Sequence, residues 1–298
     1  MRHLRGLFAA AALLVAALAH AEVRAVDDGG TEVVLARPAN RIVSLAPHLT
    51  EQLFAIGAGD RVVATTDFAD YPDAARALPR VARAHHVDLE RIAATRPDLI
   101  VVWGSGFPPA TLAALRRLGV PVYVDEPSRL DGIAESMLRL GALTAATGAK
   151  EAAARYRAAI AALRARYSAR TEVSVFYQVW AQPLMTLGGR HVISEGLRLC
   201  GARNIFDKLA PIAPQVAVEA VIAADPQAIV AAEPGGVDRG ALELWQRFGA
   251  LRAVANGHLI VVDADRINRH TPRLADELAV LCARIDEVRR ASAVKSRS

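Results

Sequence analysis

Cysteine is nearly absent from this chain of 298 residues, which contains only Cys200 and Cys282. That scarcity excludes a disulfide-dense secreted scaffold and a cysteine-rich zinc or iron–sulfur module. Aromatic residues make up 5%, so each Trp, Tyr or Phe near a strand end invites a role. Charge is not concentrated either. The formal net charge is +5, but there is no long basic run and no interleaving of basic with aromatic residues, so no nucleic-acid groove is expected. Beyond the first segment, no apolar stretch approaches the ~20 residues that a membrane helix needs. Enzyme signatures are missing as well: there is no G-x-S-x-G elbow, P-loop, H-E-x-x-H or C-x-x-C. Gly104-Ser105-Gly106 lacks the third glycine of a dinucleotide fingerprint, and Pro108-Pro109 follows it. The histidines past the first segment (His48, His85, His86, His191, His258 and His270) form no pair at helical metal-site spacing. A chain that is not an enzyme and carries no cofactor is expected.

What is present begins with a core. Hydrophobic residues are 53% and charged residues 22%, the balance of a folded globular protein. Arg2 and Arg5 precede the apolar run Leu7 to Leu18, and Ala19-His20-Ala21 supplies small residues for cleavage. Residues 1–21 therefore read as a signal peptide cut after Ala21, directing the chain to the periplasm of a Gram-negative cell. No cysteine lies near the cut to carry a lipid anchor. In that oxidising space two cysteines favour a disulfide, with two buried thiols as the alternative.

β-rich apolar runs recur at Arg41–Ala46, Arg61–Thr66, Leu99–Trp103, Val120–Val124, Val173–Val179, Ala228–Ala232 and His258–Val262. Helical patterns lie between them, at Thr50–Ile56, Leu89–Ala94, Pro109–Leu118, Asp131–Leu143 and Arg273–Arg289. The alternation predicts α/β architecture with mostly parallel sheets. Lys150 to Arg170 has no Gly or Pro and repeats apolar residues at helical spacing, predicting one long helix between two halves. The halves share a motif: Val87 to Val101 aligns at constant offset with Val216 to Val230, matching Val, Glu, Ala, Pro, Ile and Val, the mark of a duplication. The expected organisation is an N-terminal α/β lobe at 40–145, a backbone helix at 146–170 and a similar C-terminal lobe at 171–292. A cleft between two lobes is a preferred ligand site.

Several residues are candidates for that cleft. Trp103 ends an aliphatic strand, Phe68 precedes the Asp70-Tyr71-Pro72 turn, and Trp180 and Met185 follow Val179. Aromatics at the C-terminal ends of parallel strands stand where α/β ligands bind and suit a flat conjugated ligand. Ordinary core packing is the alternative. His85-His86, in a polar loop, is either solvated surface or a source of an imidazole for a metal macrocycle. Arg269-His270-Thr271-Pro272-Arg273 forms a basic rim and also reads as a helix start, with Thr271 as N-cap and Pro272 at N1.

In order along the chain, Arg41-Ile42-Val43-Ser44-Leu45-Ala46-Pro47 with Thr50-Glu51, Asp70-Tyr71-Pro72, Leu89-Glu90-Arg91-Ile92 and Arg96-Pro97-Asp98-Leu99-Ile100-Val101 make a specific pattern. Cys200-Gly201, Asn204-Ile205-Phe206, Pro214-Gln215-Val216, Pro226-Gln227-Ala228-Ile229-Val230 and Pro272-Arg273 before Cys282 continue it. The sequence from Arg41 to Arg289 resembles the vitamin B12-binding proteins of bacterial ABC importers, within the helical-backbone (class III) periplasmic binding proteins. The resemblance implies a corrinoid, cobalamin, as transported ligand, a monomer, and an ABC importer permease in the inner membrane as partner. It implies a Cys200–Cys282 disulfide and docking of Glu90 and Glu219 onto permease arginines. Ligand contacts are implied at Phe68, Trp103, Met185 and the loop Asp265, Arg266, Ile267, Asn268 and Arg269, with His85 or His86 near the metal. Cleft tryptophans of the family fall on Ala84 and Ala213 here, which leaves haem or a ferric chelate such as a siderophore as the alternative ligand.

Overall fold

The computed structural model describes residues 22–83 and 86–294 and the backbone of Lys295. The expected signal peptide and the His85 site lie outside the described residues.

Near-continuous apolar runs become strands buried on both faces, as parallel sheets require. An N-terminal hairpin, β1 (Val23–Val26) and β2 (Glu32–Leu35), precedes the first sheet. The first lobe then runs β3 (Ile42–Ser44), α1 (Pro47–Ala55), β4 (Val62–Thr66), β5 (Arg80–Arg83), β6 (His86–Val87), α2 (Leu89–Ala94), β7 (Leu99–Trp103), α3 (Pro109–Arg116), β8 (Val122–Asp125) and α4 (Leu130–Thr144). Its sheet has the order β6-β5-β4-β3-β7-β8, parallel except for the β5–β6 pair at the edge. The long helix α5 (Ala149–Tyr167) follows. The second lobe comprises β9 (Val173–Gln178), α6 (Val192–Leu199), β10 (Ala202–Asn204), α7 (Val218–Ala224), β11 (Ala228–Glu233), α8 (Glu243–Gln246), α9 (Arg252–Ala255), β12 (Leu259–Asp263), α10 (Ala264–Ile267) and α11 (Arg273–Lys295). Its sheet is wholly parallel, in the order β10-β9-β11-β12. The fold is therefore two α/β lobes joined by a long helix, as the alternation of patterns predicts.

The duplication is visible in three dimensions: α2 leads into β7 as α7 leads into β11, each short helix ending before a proline. One hydrophobic core runs through both lobes, collecting Leu140 and Leu143 of α4, Tyr156 and Ile160 of α5, Leu197 of α6 and Leu278 and Leu281 of α11. Smaller clusters around Ile100 and Val102, and around Phe176 and Trp245, fill the outer faces of the two sheets. A core continuous across the lobes resists large hinge motion, because opening it would expose apolar surface.

Local chemistry sets most element ends. Pro47 starts α1, the Asp88 carboxylate caps α2 by accepting from the Arg91 N–H, and α4 stops at Ala145 with positive φ. The backbone helix is shorter than predicted: it ends at Tyr167, and the Arg170 N–H folds back onto the Tyr167 carbonyl in a turn. Cys200 lies one residue past α6, at its C-cap, and is bonded to Cys282 in α11. This settles the choice between disulfide and free thiols. Among the described residues, no helix is long and apolar enough to cross a membrane.

Candidate functional site

The C-terminal ends of the parallel strands converge on a cleft of about 890 Å³ between the lobes, the position where open α/β sheets place ligands. The first lobe contributes His48 from the start of α1, and Trp103 and Ser105 from the end of β7. The second contributes the segment after β9, the end of β11 at Ala232 and Glu233, and residues after β12. The aromatic walls come from both lobes: Trp103 is 37% exposed and Trp180 61%, with Ile212 beside them at 57%. Each indole is held by its own N–H, Trp103 Nε1 donating to Glu126 Oε1 at 3.1 Å and Trp180 Nε1 to the Gln182 carbonyl at 2.8 Å. Most of the Trp180 ring is thereby left exposed to an apolar ligand surface, whereas the Trp103 ring also meets His48 edge-on at 5.8 Å and packs over Gly106, leaving part of it open. No Lys or Arg is among the described residues lining the cleft.

Three histidines, His48, His191 and His270, line the same cleft. The His270 ring centroid is 5.6 Å from that of His48 and 6.3 Å from that of His191. His191 caps α6, its Nδ1 accepting from the Ile193 N–H at 3.1 Å, so its ring proton sits on Nε2 and the residue offers the cleft a donor. Burial pushes its pKa down to about 4. Burial, then the neighbouring His48 and His191, hold His270 well below the usual histidine range. Both stay neutral at neutral pH. A histidine kept neutral by the fold stabilises it above its unfolded pKa near 6.5 and destabilises it as pH falls from there toward about 4. For His191 this loss amounts to at most about 3 kcal/mol. Urea unfolding at pH 7 and pH 4.5 should show it, and His191→Asn, which keeps a capping acceptor but cannot be protonated, should remove that part. An unchanged acid loss in His191→Asn would overturn the assignment.

Arginines cross the boundary between lobes. Arg273 of α11 donates through Nε and Nη2 to both oxygens of Glu51 in α1, at 2.7 and 2.6 Å, and lies 3.9 Å above the Tyr71 ring. Arg269 bridges Asp70 and Asp265, each at 2.7 Å. The Gln52 amide donates to the His270 carbonyl at 2.7 Å. The basic rim is thus spent on clasping the lobes.

The expected contact residues separate accordingly. Trp103 and Asn268 line the cleft. Helical spacing explains the loop: Ala264 and Asn268, four apart, face the cavity, whereas Asp265 and Arg269 share the next face and pair with each other. Arg266 is exposed beside Asp263. Ile267 is fully buried in the central core, which corrects its expected ligand contact: a residue on the core face of α10 cannot also face the cleft. Arg269 likewise faces two carboxylates instead of a free space for ligand arms. Met185 is not in the cleft wall; its backbone pairs with Trp180 and Gln215 and so builds the ribbon that carries Trp180. Phe68, 74% exposed with φ +62°, and His86, exposed on the edge strand β6, also lie outside the cleft wall. Glu90 and Glu219 are both exposed in the first turns of the paired helices α2 and α7. The sequence alone does not assign His48, His191 or Gln178 to the cleft; only Gln178 carries a readable signal, since it closes the buried strand β9 at its C-terminal end.

The model of the periplasmic binding protein family matches residues 42–266. The chain is 35% identical over 253 residues to the vitamin B12-binding protein of Vibrio campbellii, covering 85% of this chain and 91% of that protein. It is 38% identical over 246 residues to the vitamin B12-binding protein of Vibrio cholerae, covering 82% and 88%. Among solved structures, the periplasmic vitamin B12 binding protein BtuF of Vibrio cholerae superimposes with a TM-score of 0.78 at 36% identity, covering 85% of this chain and 98% of that one. A periplasmic haem-binding protein from Pseudomonas aeruginosa gives a TM-score of 0.72 at 26% identity, covering 82% and 92%.

Proposed function

Because the chain belongs to the periplasmic binding protein family, we propose that it captures a corrinoid, cobalamin, between its lobes and hands it to an ABC importer in the inner membrane. Residues 1–21 act as the export signal, the mature protein works as a periplasmic monomer, and the lobes correspond to 40–145 and 171–292 joined through 146–170. The chemistry is binding, with no covalent step.

One observation carries the reading. The cleft wall combines two tryptophans, the neutral His191 and His270, amides and the carboxylate of Glu233, with no Lys or Arg among the described lining residues. A corrinoid is a broad ring edged with neutral amides, which such a wall can stack on and hydrogen-bond. Haem brings two carboxylates, whose burial calls for cationic partners. Here the nearby Arg269 and Arg273 already have carboxylates of their own.

Calorimetric titration of the mature protein with cyanocobalamin, beside visible titration with hemin, tests this. One-to-one cobalamin binding without a change in the hemin Soret band is expected. A Soret shift without cobalamin heat would replace cobalamin by haem. Trp103→Ala and Trp180→Ala should each weaken cobalamin by about tenfold, the equivalent of ~1.4 kcal/mol.

Glu90 and Glu219 suit docking because both are exposed and stand at equivalent places in the two lobes. Glu90→Arg with Glu219→Arg should leave cobalamin affinity unchanged and abolish stimulation of the importer's ATPase. Undiminished stimulation would discard the docking role.

A further inference from the structure

His48 sits in the first turn of α1, directly after Pro47, on the cleft wall and only 6% exposed. Its Nε2 lies 3.6 Å from Asp125 Oδ2, and both atoms are buried without a hydrogen-bond partner among the described residues. Asp125 is fully buried at the end of β8, and its other oxygen accepts from Ser136 Oγ, which fixes the plane of the carboxylate. The ring proton of His48 belongs on Nε2, because a carboxylate facing a bare ring nitrogen would oppose two lone pairs in a buried site. Nδ1 is then left with its lone pair. It carries no hydrogen bond among the described residues and, unlike Nε2, is not sealed from the cleft. His191 differs, since its Nδ1 lone pair is already taken by the Ile193 N–H.

A carboxylate held 3.6 Å behind one ring nitrogen favours the proton there and raises the basicity of the other nitrogen toward a metal. Among the described residues, no three His, Cys, Asp or Glu side chains converge to hold an ion from solution. A metal at His48 must therefore arrive inside a ligand that supplies its remaining donors. A corrinoid does so, holding cobalt through four ring nitrogens and, in aquacobalamin, carrying an exchangeable water at one axial position.

We propose that His48 Nδ1 replaces that water and becomes an axial ligand of the bound cobalt, so that the cleft favours corrinoids with an exchangeable axial position over those blocked by cyanide. The cobalt–oxygen bond breaks, a cobalt–nitrogen bond forms and neutral water leaves. Neither the cobalt oxidation state nor the proton on Nε2 changes. The inference rests on the corrinoid reading and specifies what the site does with the metal.

The experiment titrates the mature protein with aquacobalamin and with cyanocobalamin, recording visible spectra and heats, for the wild type, His48→Ala, His48→Gln and Asp125→Asn. The wild type should shift the main visible bands of aquacobalamin as imidazole replaces water, and bind it at least about tenfold tighter than cyanocobalamin. In His48→Ala and His48→Gln the shift should vanish and the two affinities converge, with cyanocobalamin binding reporting that each variant is folded. Asp125→Asn should lower the preference for aquacobalamin, by no more than the His48 variants do, because it weakens the ligand without removing it. Cyanocobalamin binding with no aquacobalamin shift in the wild type, or a shift that persists in both His48 variants, overturns the ligation and leaves the corrinoid reading intact. Binding of neither corrinoid overturns both.

Discussion

Removing the disulfide, by Cys200→Ala with Cys282→Ala, should lower the unfolding free energy by about 4 kcal/mol, the loop-closure value for a bridge spanning this much chain. The two cysteines are 82 residues apart in sequence, so the bond denies the unfolded chain a large set of conformations. Both residues are fully buried where α6 meets α11, inside the core that both lobes share, so the folded state gains no alternative contact when the bond is lost. Each kcal/mol corresponds to about 2–4 °C for a domain of this size, and the melting temperature should drop by roughly 8–16 °C. Differential scanning calorimetry of the double variant measures it. A drop below about 2 °C would mean that packing around the pair already supplies the restraint, and the entropic account would fail.

Arg273→Ala should be the most damaging single substitution away from the cleft wall. Glu51 is 2% exposed and receives two hydrogen bonds from the Arg273 guanidinium. Burial disfavours the charge on Arg273, but the hydrogen bond and charge of Glu51 prevail and raise its pKa. Deleting the arginine leaves a buried carboxylate uncompensated, at about 3–5 kcal/mol. Urea denaturation of Arg273→Ala reads this directly. The double replacement Glu51→Met with Arg273→Met should recover most of the loss, because a buried ion pair repays little more than its desolvation. If Arg273→Ala cost under about 1 kcal/mol, water would be solvating Glu51 and the clasp between lobes would have no energetic weight.

The strands legible in the sequence are the aliphatic runs, whether central like β11 or at an edge like β12. Leu99–Trp103 and Ala228–Glu233 are aliphatic almost throughout, and their pattern predicts them to within a residue. Arg80–Arg83, His86–Val87 and Ala202–Asn204 carry no strand signal in the sequence, because they sit at or near sheet edges, are short, and place charged or polar residues between apolar ones. Their strand state comes from pairing with a neighbour and has no periodicity of its own. Trp103 was found through its place at a strand end. His48 was overlooked because a lone histidine at a helix start looks like any capping-region residue, and only the fold brings Asp125 behind it.

Composition and pattern by themselves determined the α/β class, the long connecting helix, the duplicated helix–strand unit and the pairing chemistry open to two cysteines, because these depend on local periodicity and counting. The tertiary structure alone decided which residues face the cleft. Arg269 and Arg273 look like ligand-gripping cations along the chain, yet folding brings Asp70 and Glu51 from the first lobe against them. Ile267 sits one position from Asn268 in sequence and on the opposite side of the cleft wall in space. Contacts between groups some two hundred residues apart follow from how two sheets and their helices close on a shared core, and no local pattern encodes that closure.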